Sequence, residues 1–331
     1  MKLSIVVPHY KEPWETCEYL FNSIAMQRNV PWEEMEVIVV NDGDDTTLDN
    51  IDWGKYPFNV RYMKKPHGGI SAARNYGIDH SEAEYLMFCD IDDGFLNNYG
   101  LHMLFAAIAE GFDYLIGTFV EESLMPDNKT IALVRHDNDM TFMHGKAYKR
   151  SFLLDNNVRF DEVMTLHEDG YFNMLAYAVA KQTEAKIKRV ETPFYIWCWN
   201  WQSTVRKNKE DFVLKTYPSL MQTRIGICNQ FKERGYNEAF ASAVCMTVLN
   251  SYYDFQKPRW RIAKNERYFR IAEREFKKYW MLFQKDFKNL TNETIAEVAK
   301  AARETACNNG MLMEQEDLKT WLKHIDSIKY G

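Results

Sequence analysis

Four short β-rich runs, residues 3–7, 36–40, 59–63 and 84–89, alternate near the N-terminus with segments whose apolar side chains recur every three to four positions. A nearly continuous run marks a strand covered on both faces, whereas a strand with one face in water alternates apolar and polar residues. Between the first two runs, residues 14–27 place Cys17, Leu20, Phe21 and Ile24 on one helical face, and residues 70–80 follow the Gly68-Gly69 breaker as a second helix. Strand and helix in alternation give an α/β fold, a mainly parallel sheet flanked by helices, because parallel neighbours need long crossovers. A further helix is expected over 98–110, then strands over 114–120 and 130–134 about the turn Pro126-Asp127-Asn128, with the sheet ending near Pro193. From about Val205 strand signals vanish and helical patterns run to the end; Pro258 is placed to open one helix and Gly310 to stop the helix starting near Thr291. The shift divides the chain into a sheet domain over 1–205 and an all-helical C-terminal domain over 206–331.

Such a fold needs a large core, and 331 residues with 46% hydrophobic side chains supply one. No apolar run reaches the roughly 20 residues of a membrane span, and the first strand begins without a charged leader, so a cytoplasmic protein is expected. The six cysteines (Cys17, Cys89, Cys198, Cys228, Cys245, Cys307) form no CxxC pair and no zinc-ligand cluster, which points to reduced, buried thiols. A formal charge of −6 gives no global reason for a nucleic-acid or anionic-membrane partner. Residues 257–288 run the other way, with eleven Lys and Arg against four acids, interleaved with Trp260, Tyr268, Phe269, Phe276, Tyr279 and Trp280. Two readings fit: ordinary salt-bridged helices, or a basic, aromatic surface for an anionic acceptor such as a teichoic-type polymer or DNA, or for peripheral membrane contact.

Ligands of a parallel sheet bind outside the carboxyl ends of its strands, and here those ends are acidic. Asn41-Asp42-Gly43-Asp44-Asp45 follows the second run and Asp90-Ile91-Asp92-Asp93 the fourth. Carboxylates so close repel one another and require full solvation or a cation. A hard divalent ion, Mn²⁺ or Mg²⁺, held by one or two carboxylates plus phosphate oxygens would satisfy them; a solvated acidic turn is the competing account. The stretch from Lys65 to Asn75 is a glycine turn running into a helix, where backbone N–H groups and Arg74 could face a diphosphate.

Four motifs now stand in order: Ile5-Val6-Val7-Pro8-His9-Tyr10, Val37-Ile38-Val39-Val40-Asn41-Asp42-Gly43, Ile70-Ser71-Ala72-Ala73-Arg74-Asn75-Tyr76-Gly77 and Phe88-Cys89-Asp90-Ile91-Asp92-Asp93. Together with Gly145-Lys146-Ala147-Tyr148-Lys149-Arg150, Arg159-Phe160-Asp161-Glu162 and His167-Glu168-Asp169-Gly170, they resemble the family 2 glycosyltransferases of A-type fold over roughly the first 205 residues. The resemblance implies inverting, metal-dependent sugar transfer from a nucleoside-diphosphate donor, UDP by family analogy, to an acceptor hydroxyl. It places Pro8, Tyr10 and Glu12 in the nucleotide wall, Asp42 on the base, Arg74 near ribose and phosphates, and Asp90 on the ribose. Asp92 would ligate the metal, Asp93 would support that loop, and Asp169 of the Glu168-Asp169 pair would be the general base. Gln202, Ser203 and Arg206 match a segment that closes over the diphosphate. The chain departs from the pattern at Lys11, where asparagine is usual, and at Asn41, where aspartate is usual; an inserted residue near Pro13 leaves Glu12 and Glu15 as alternatives.

Asp169 precedes the apolar run Tyr171, Phe172, Leu175, Ala176, so partial burial would raise its pKa and strengthen it as a base; acids at a helix N-terminus also arise from the macrodipole alone. His144, before Gly145 and Lys146, could touch the donor sugar, but an isolated histidine is more often structural or exposed, and it is left out of the catalytic set. Trp197, Trp199 and Trp201 at alternate positions would project to one side of an extended segment, to stack on a sugar or base or to pack a domain junction. A nucleotidyltransferase using a nucleoside triphosphate, or a non-catalytic glycan-binding or assembly module, are the alternative functions. The acceptor remains open among polysaccharide, lipopolysaccharide, teichoic acid, protein and modified DNA, and exposed aromatic helices near the C-terminus would suit a homodimer.

Overall fold

The computed structural model describes residues 1–43, 46–125, 127, 129–201, 203, 211–308, 311 and 313–329, in two compact units, Met1–Gln202 and Ser203–Gly331. The first unit opens with β1 (Leu3–His9), α1 (Trp14–Ala25), β2 (Met35–Asp42), β3 (Asn59–Lys65), α2 (Ile70–His80) and β4 (Tyr85–Phe88). These four strands are all parallel, in the order β3-β2-β1-β4. β1 and β2 are buried along their whole length, as their unbroken apolar runs require. β3 is not covered as expected: it forms the sheet edge, and α2 packs over β1 and β2 instead, so every β3 side chain keeps some exposure.

The second half comprises β5 (Gly94–Phe95), α3 (Gly100–Glu110), β6 (Tyr114–Leu124), β7 (Ile131–His136), β8 (Lys146–Lys149), α4 (Arg150–Asp155), α5 (Glu168–Gln182) and β9 (Ile187–Trp197). It continues the sheet as β4-β8-β6-β9-β5, with β7 also on β6. β8 runs antiparallel to both β4 and β6, so the α/β sheet is mixed, with its parallel part confined mainly to the first half. β9 carries the sheet past Pro193 to Trp197. Proline is tolerated there because the β6–β9 ladder breaks between Val190 and Tyr195, leaving Pro193 at an irregularity where no ladder N–H is needed. Pro126, Asn128, Asp44 and Asp45 lie outside the described residues.

The second unit is helical: α6 (Phe212–Lys215), α7 (Tyr217–Glu233), α8 (Asn237–Phe255), α9 (Glu266–Lys288), α10 (Asn292–Asn308) and α11 (Leu318–Ser327). Pro258 opens a short 3₁₀ turn rather than a long helix, and α10 begins beside Thr291, whose Oγ1 accepts from the Thr294 amide at 3.2 Å; Gly310 lies outside the described residues. Of the two readings of 257–288, a continuous aromatic surface does not form, although Tyr268 stays exposed. Trp260, Phe276, Tyr279 and Trp280 are buried, because the amphipathic α9 turns its aromatic face into the unit's core. None of the six cysteines forms a disulfide, four of them are buried, and no described helix is long and apolar enough to cross a membrane.

Gly77 fixes how closely α2 lies on the sheet. A Cβ there would stand 2.2 Å from Val6 Cγ1, and Val6 is fully buried in β1. Gly77→Ala is therefore expected to destabilise the protein by about 1–3 kcal/mol in urea unfolding, with partial recovery in the Gly77→Ala, Val6→Ala double variant. An unchanged single variant would show that the helix can lift without cost.

Candidate active site

β1, β2 and β4 end on one edge of the sheet, and each hands its next residues to a shared cleft. Pro8, late in central strand β1, costs no hydrogen bond: the β1–β4 ladder stops at Val6, whose carbonyl still accepts from Cys89. Tyr10 follows, 41% exposed, and stacks on His67 with ring centroids 4.3 Å apart. Its ring also lies 3.1 Å from where a Cβ on Gly43 would be, so any larger residue there would press on the platform. Lys11, in a left-handed conformation at φ 68°, holds its Nζ 4.8 Å from the Tyr10 ring centroid.

Glu12 folds back, accepting from the Tyr10 amide at 2.6 Å, while Glu15 stays exposed on the first turn of α1. Burial raises the pKa of Glu12, with a further contribution from the nearby charge of Asp92. Asp42 is buried and well supplied with donors: Gly68 N at 2.9 Å, Gly69 N at 2.7 Å and Lys65 Nζ at 2.6 Å, with His67 Nδ1 also 2.9 Å from Oδ2. Burial opposes its ionisation, but Lys65 and the two amides outweigh burial and hold its pKa low. A carboxylate accepts about four hydrogen bonds, so in this conformation Asp42 fixes the glycine turn and has little capacity left for a base.

The acidic loop after β4 is held residue by residue. Asp93 is 1% exposed; Tyr195 Oη donates to its Oδ2 at 2.7 Å and the Cys198 amide to its Oδ1 at 2.9 Å. Asp92 accepts from Asn200 Nδ2 at 2.7 Å. Asp90 accepts from Arg74 at 2.9 Å, and that guanidinium overcomes the effect of burial to keep the Asp90 pKa low. Asp90, Asp93 and His144 each bring one ligand atom within 4.8 Å of the others. Two carboxylates and an imidazole make a donor set that fits a divalent cation. Asp92, the ligand expected from sequence, is not in that trio.

Arg74 lies at the centre. It is 1% exposed, and besides Asp90 it donates to Glu168 at 3.1 Å and Asp169 at 2.5 Å. Both terminal nitrogens are thus engaged by carboxylates rather than turned toward an open diphosphate site. Burial works against its charge, but Asp169, Asp90 and Glu168 together raise its pKa. Glu168 and Asp169 occupy the first turn of α5, preceded by His167 in a left-handed conformation at φ 64°. Burial pushes the Asp169 carboxyl up to about 8; Arg74 resists the shift, and the adjacent charges of Glu168 and Asp90 add to it. Nearby, buried Lys146 donates to the Phe142 carbonyl, and burial pushes its pKa down to about 8.

The tryptophans do not share one strand face. Trp197 closes β9 and packs on Phe142 and His144, each with centroids 5.0 Å away, whereas Trp199 and Trp201 lie beyond the strand in edge-to-face contact. Gln202 and Arg206 lie outside the described residues. Sequence reading missed His67, Asn200, Tyr195 and the part played by His144. Tyr195 and Asn200 reach the acidic loop from more than 100 positions away, a pairing that strand order creates and local pattern does not reveal.

Residues 4–167 match the family model described as glycosyl transferase family 2. The sheet unit belongs to that family. The poly(ribitol-phosphate) β-N-acetylglucosaminyltransferase TarS of Staphylococcus aureus is 30% identical over 194 residues, covering 55% of this chain and 33% of TarS. The chain therefore spans about a third of that relative's length. An uncharacterised glycosyltransferase, EpsJ of Bacillus subtilis, is 25% identical over 76% of this chain and 74% of its own length. Among solved structures, residues 1–349 of S. aureus TarS superpose with a TM-score of 0.60 at 20% identity, covering 95% of this chain and 93% of that one. The A-type glycosyltransferase fold, with a helical region after it, is thus established for this chain.

Replacing Arg74 would leave the carboxyl groups of Asp90, Glu168 and Asp169 facing one another without their cation. Arg74→Ala is expected to lose roughly 3–5 kcal/mol of stability at neutral pH. Because the wild-type contribution of Asp90 is present above its unfolded pKa and lost as pH falls through its lowered folded value, the deficit should shrink toward acid pH. A urea series from pH 7.5 down to about pH 2 checks this, with the change expected below the ordinary Asp range; a deficit that stays constant across that acid limb would contradict it.

Proposed function

We propose that the chain is an inverting glycosyltransferase that moves a sugar from UDP onto a hydroxyl of a polymeric acceptor, with Mn²⁺ or Mg²⁺ at the acidic loop. The observation that carries this reading is the Arg74 bridge, which ties Asp90 on the donor side to Asp169, a carboxyl of raised pKa on the acceptor side. In this reading Tyr10, stacked on His67, offers its ring to the uracil, with Pro8 and Glu12 forming the adjoining wall. Asp42 holds the Gly68-Gly69 turn beneath it, and Asp90 and Asp92 face the ribose and diphosphate. Asp90, Asp93 and His144, with Asp92 beside them, would hold the cation, which when bound supplies positive charge to the departing diphosphate. Asp169 takes the acceptor hydroxyl's proton as that oxygen bonds to the anomeric carbon and the bond to the diphosphate oxygen breaks on the opposite face. Glu168 shares Arg74 with Asp169 and, by its like charge, makes it a stronger base.

The sheet domain over 1–205 would bind the donor, with Arg206 in the segment closing on the diphosphate, and the helical domain over 206–331 would serve the acceptor. Similarity to TarS, named for N-acetylglucosamine transfer to poly(ribitol phosphate), makes UDP-N-acetylglucosamine and that polymer the first pair to test. Transfer should release UDP; consumption of a nucleoside triphosphate with release of pyrophosphate would mark a nucleotidyltransferase instead.

Asp169→Asn should keep the thermal shift that Mn²⁺ and UDP-sugar produce together but lose transfer by about 10²–10⁴-fold, and Asp92→Ala should lose the Mn²⁺-dependent part of that shift. Wild-type transfer by Asp169→Asn would refute the base assignment. Since the base acts deprotonated, kcat/KM should rise with pH through about 8 and then level off. A profile flat from pH 6 to 9 would place the proton acceptor elsewhere.

A further inference from the structure

The two units carry opposite charge. Of the 41 Lys and Arg and 47 Asp and Glu in the chain, residues 203–331 hold 23 basic and 16 acidic, a formal charge of +7, which leaves −13 on residues 1–202. Of that excess +3 falls on α9, with seven Lys and Arg against four acids, and six of its cations lie on one line. Arg267, Arg270, Arg274, Lys278, Lys285 and Lys288 recur at spacings of three, four or seven, so at 100° per residue they fall within about 80° of arc. All six are exposed. The opposite face, Ala272, Phe276, Tyr279, Trp280, Phe283 and Phe287, is buried. The helix's four acids, Glu266, Glu273, Glu275 and Asp286, flank the stripe and do not interrupt it. Glu266 pairs with Arg270, Glu275 with Lys278 and Glu273 with His324 of α11. Arg267 to Lys288 spans about 32 Å at 1.5 Å per residue, with successive cations about 4.5–6 Å apart except for one gap of about 10.5 Å between Lys278 and Lys285.

We propose that this face of α9 is a docking rail for a linear polyol-phosphate chain, the acceptor whose hydroxyl the sheet unit glycosylates. The proposal rests on the glycosyltransferase reading for its purpose, though not for its physics. A single phosphate needs two or three convergent donors; a line of six cations on a rigid helix matches a polymer with regularly spaced negative charge. A lipid surface fits poorly, because a helix that lies on a membrane presents its apolar face, and the apolar face of α9 is already spent on the unit's own core. Single-stranded nucleic acid would call for aromatic rings in line with the cations for bases to stack on, and the stripe contains none, its remaining member being Met281.

Binding of poly(ribitol phosphate) to the full chain, followed by fluorescence anisotropy across a NaCl series, tests the proposal. By analogy with single strands, at about −0.7 per neutralised phosphate, six cations give a slope of log K against log[NaCl] near −4. The triple variant Arg267→Gln, Arg274→Gln, Lys285→Gln removes three exposed charges without touching the core, and should bring the slope to about −2 and weaken binding at least tenfold at low salt. Circular dichroism and unchanged hydrolysis of UDP-sugar would show that variant folded and its donor site intact. Wild-type polymer affinity in the folded triple variant would overturn the rail. So would equal dependence on these three residues for anionic phospholipid vesicles or poly(dT), which would mark a non-specific anion surface. Polymer binding with the expected salt slope but no UDP release from any donor would sink the transferase reading and leave the rail standing.

Discussion

One buried guanidinium holds the functional end of the sheet together. Arg74 sits on α2, which Gly77 lets settle directly on β1, and from there it reaches the end of β4 through Asp90 and the start of α5 through Glu168 and Asp169. Three carboxylates around one cation leave negative charge uncompensated, and the low-dielectric setting makes that imbalance costly. The raised pKa of Asp169 is where part of the imbalance is expressed. A diphosphate arriving at this edge cannot count on Arg74, whose terminal nitrogens are already committed. At the acidic loop Asp90, Asp93 and His144 converge in a donor set that fits a divalent cation.

The same economy runs through the rest of the cleft. Asp42 stabilises the glycine turn, Asp93 is pinned by Tyr195 and Cys198, and Asn200 draws Asp92 toward the end of β9. Each carboxylate is oriented by a donor from a different part of the chain, the kind of fixed polar arrangement that lowers reorganisation in a reaction site. The helical unit has the opposite electrostatic character, and the aromatic residues on the buried face of α9 serve its own core.

The parallel half of the sheet was legible because β1 and β2 are covered on both faces and read as unbroken apolar runs; α2 was legible because a glycine pair announces it. β8 and β9 were harder. β8 has four residues, too few for any period, and β9 contains a proline that normally argues against a strand. Asp90, Asp92 and Asp169 could be picked out as acids following a strand or opening a helix, but their partners could not. That Arg74 would face inward follows from the packing of α2 on the sheet, and His144, flanked by Phe142 and Tyr195 and set 3.5 Å from Asp93, has no local signal beyond its own identity. The run over 257–288 left two readings open for a related reason: composition shows that rings are present, and only the helical phase shows which way they turn.

The central claim is that the acidic loop after β4 and the Arg74 cluster form one cation-dependent donor site. Anomalous diffraction at the manganese edge, from crystals grown with MnCl₂ and UDP, tests it most directly. The account predicts a single strong peak bounded by Asp90, Asp92, Asp93 and His144, with the diphosphate as its remaining ligand and the uracil against Tyr10. UDP ordered elsewhere, or bound at Tyr10 with no manganese at the loop, would contradict it.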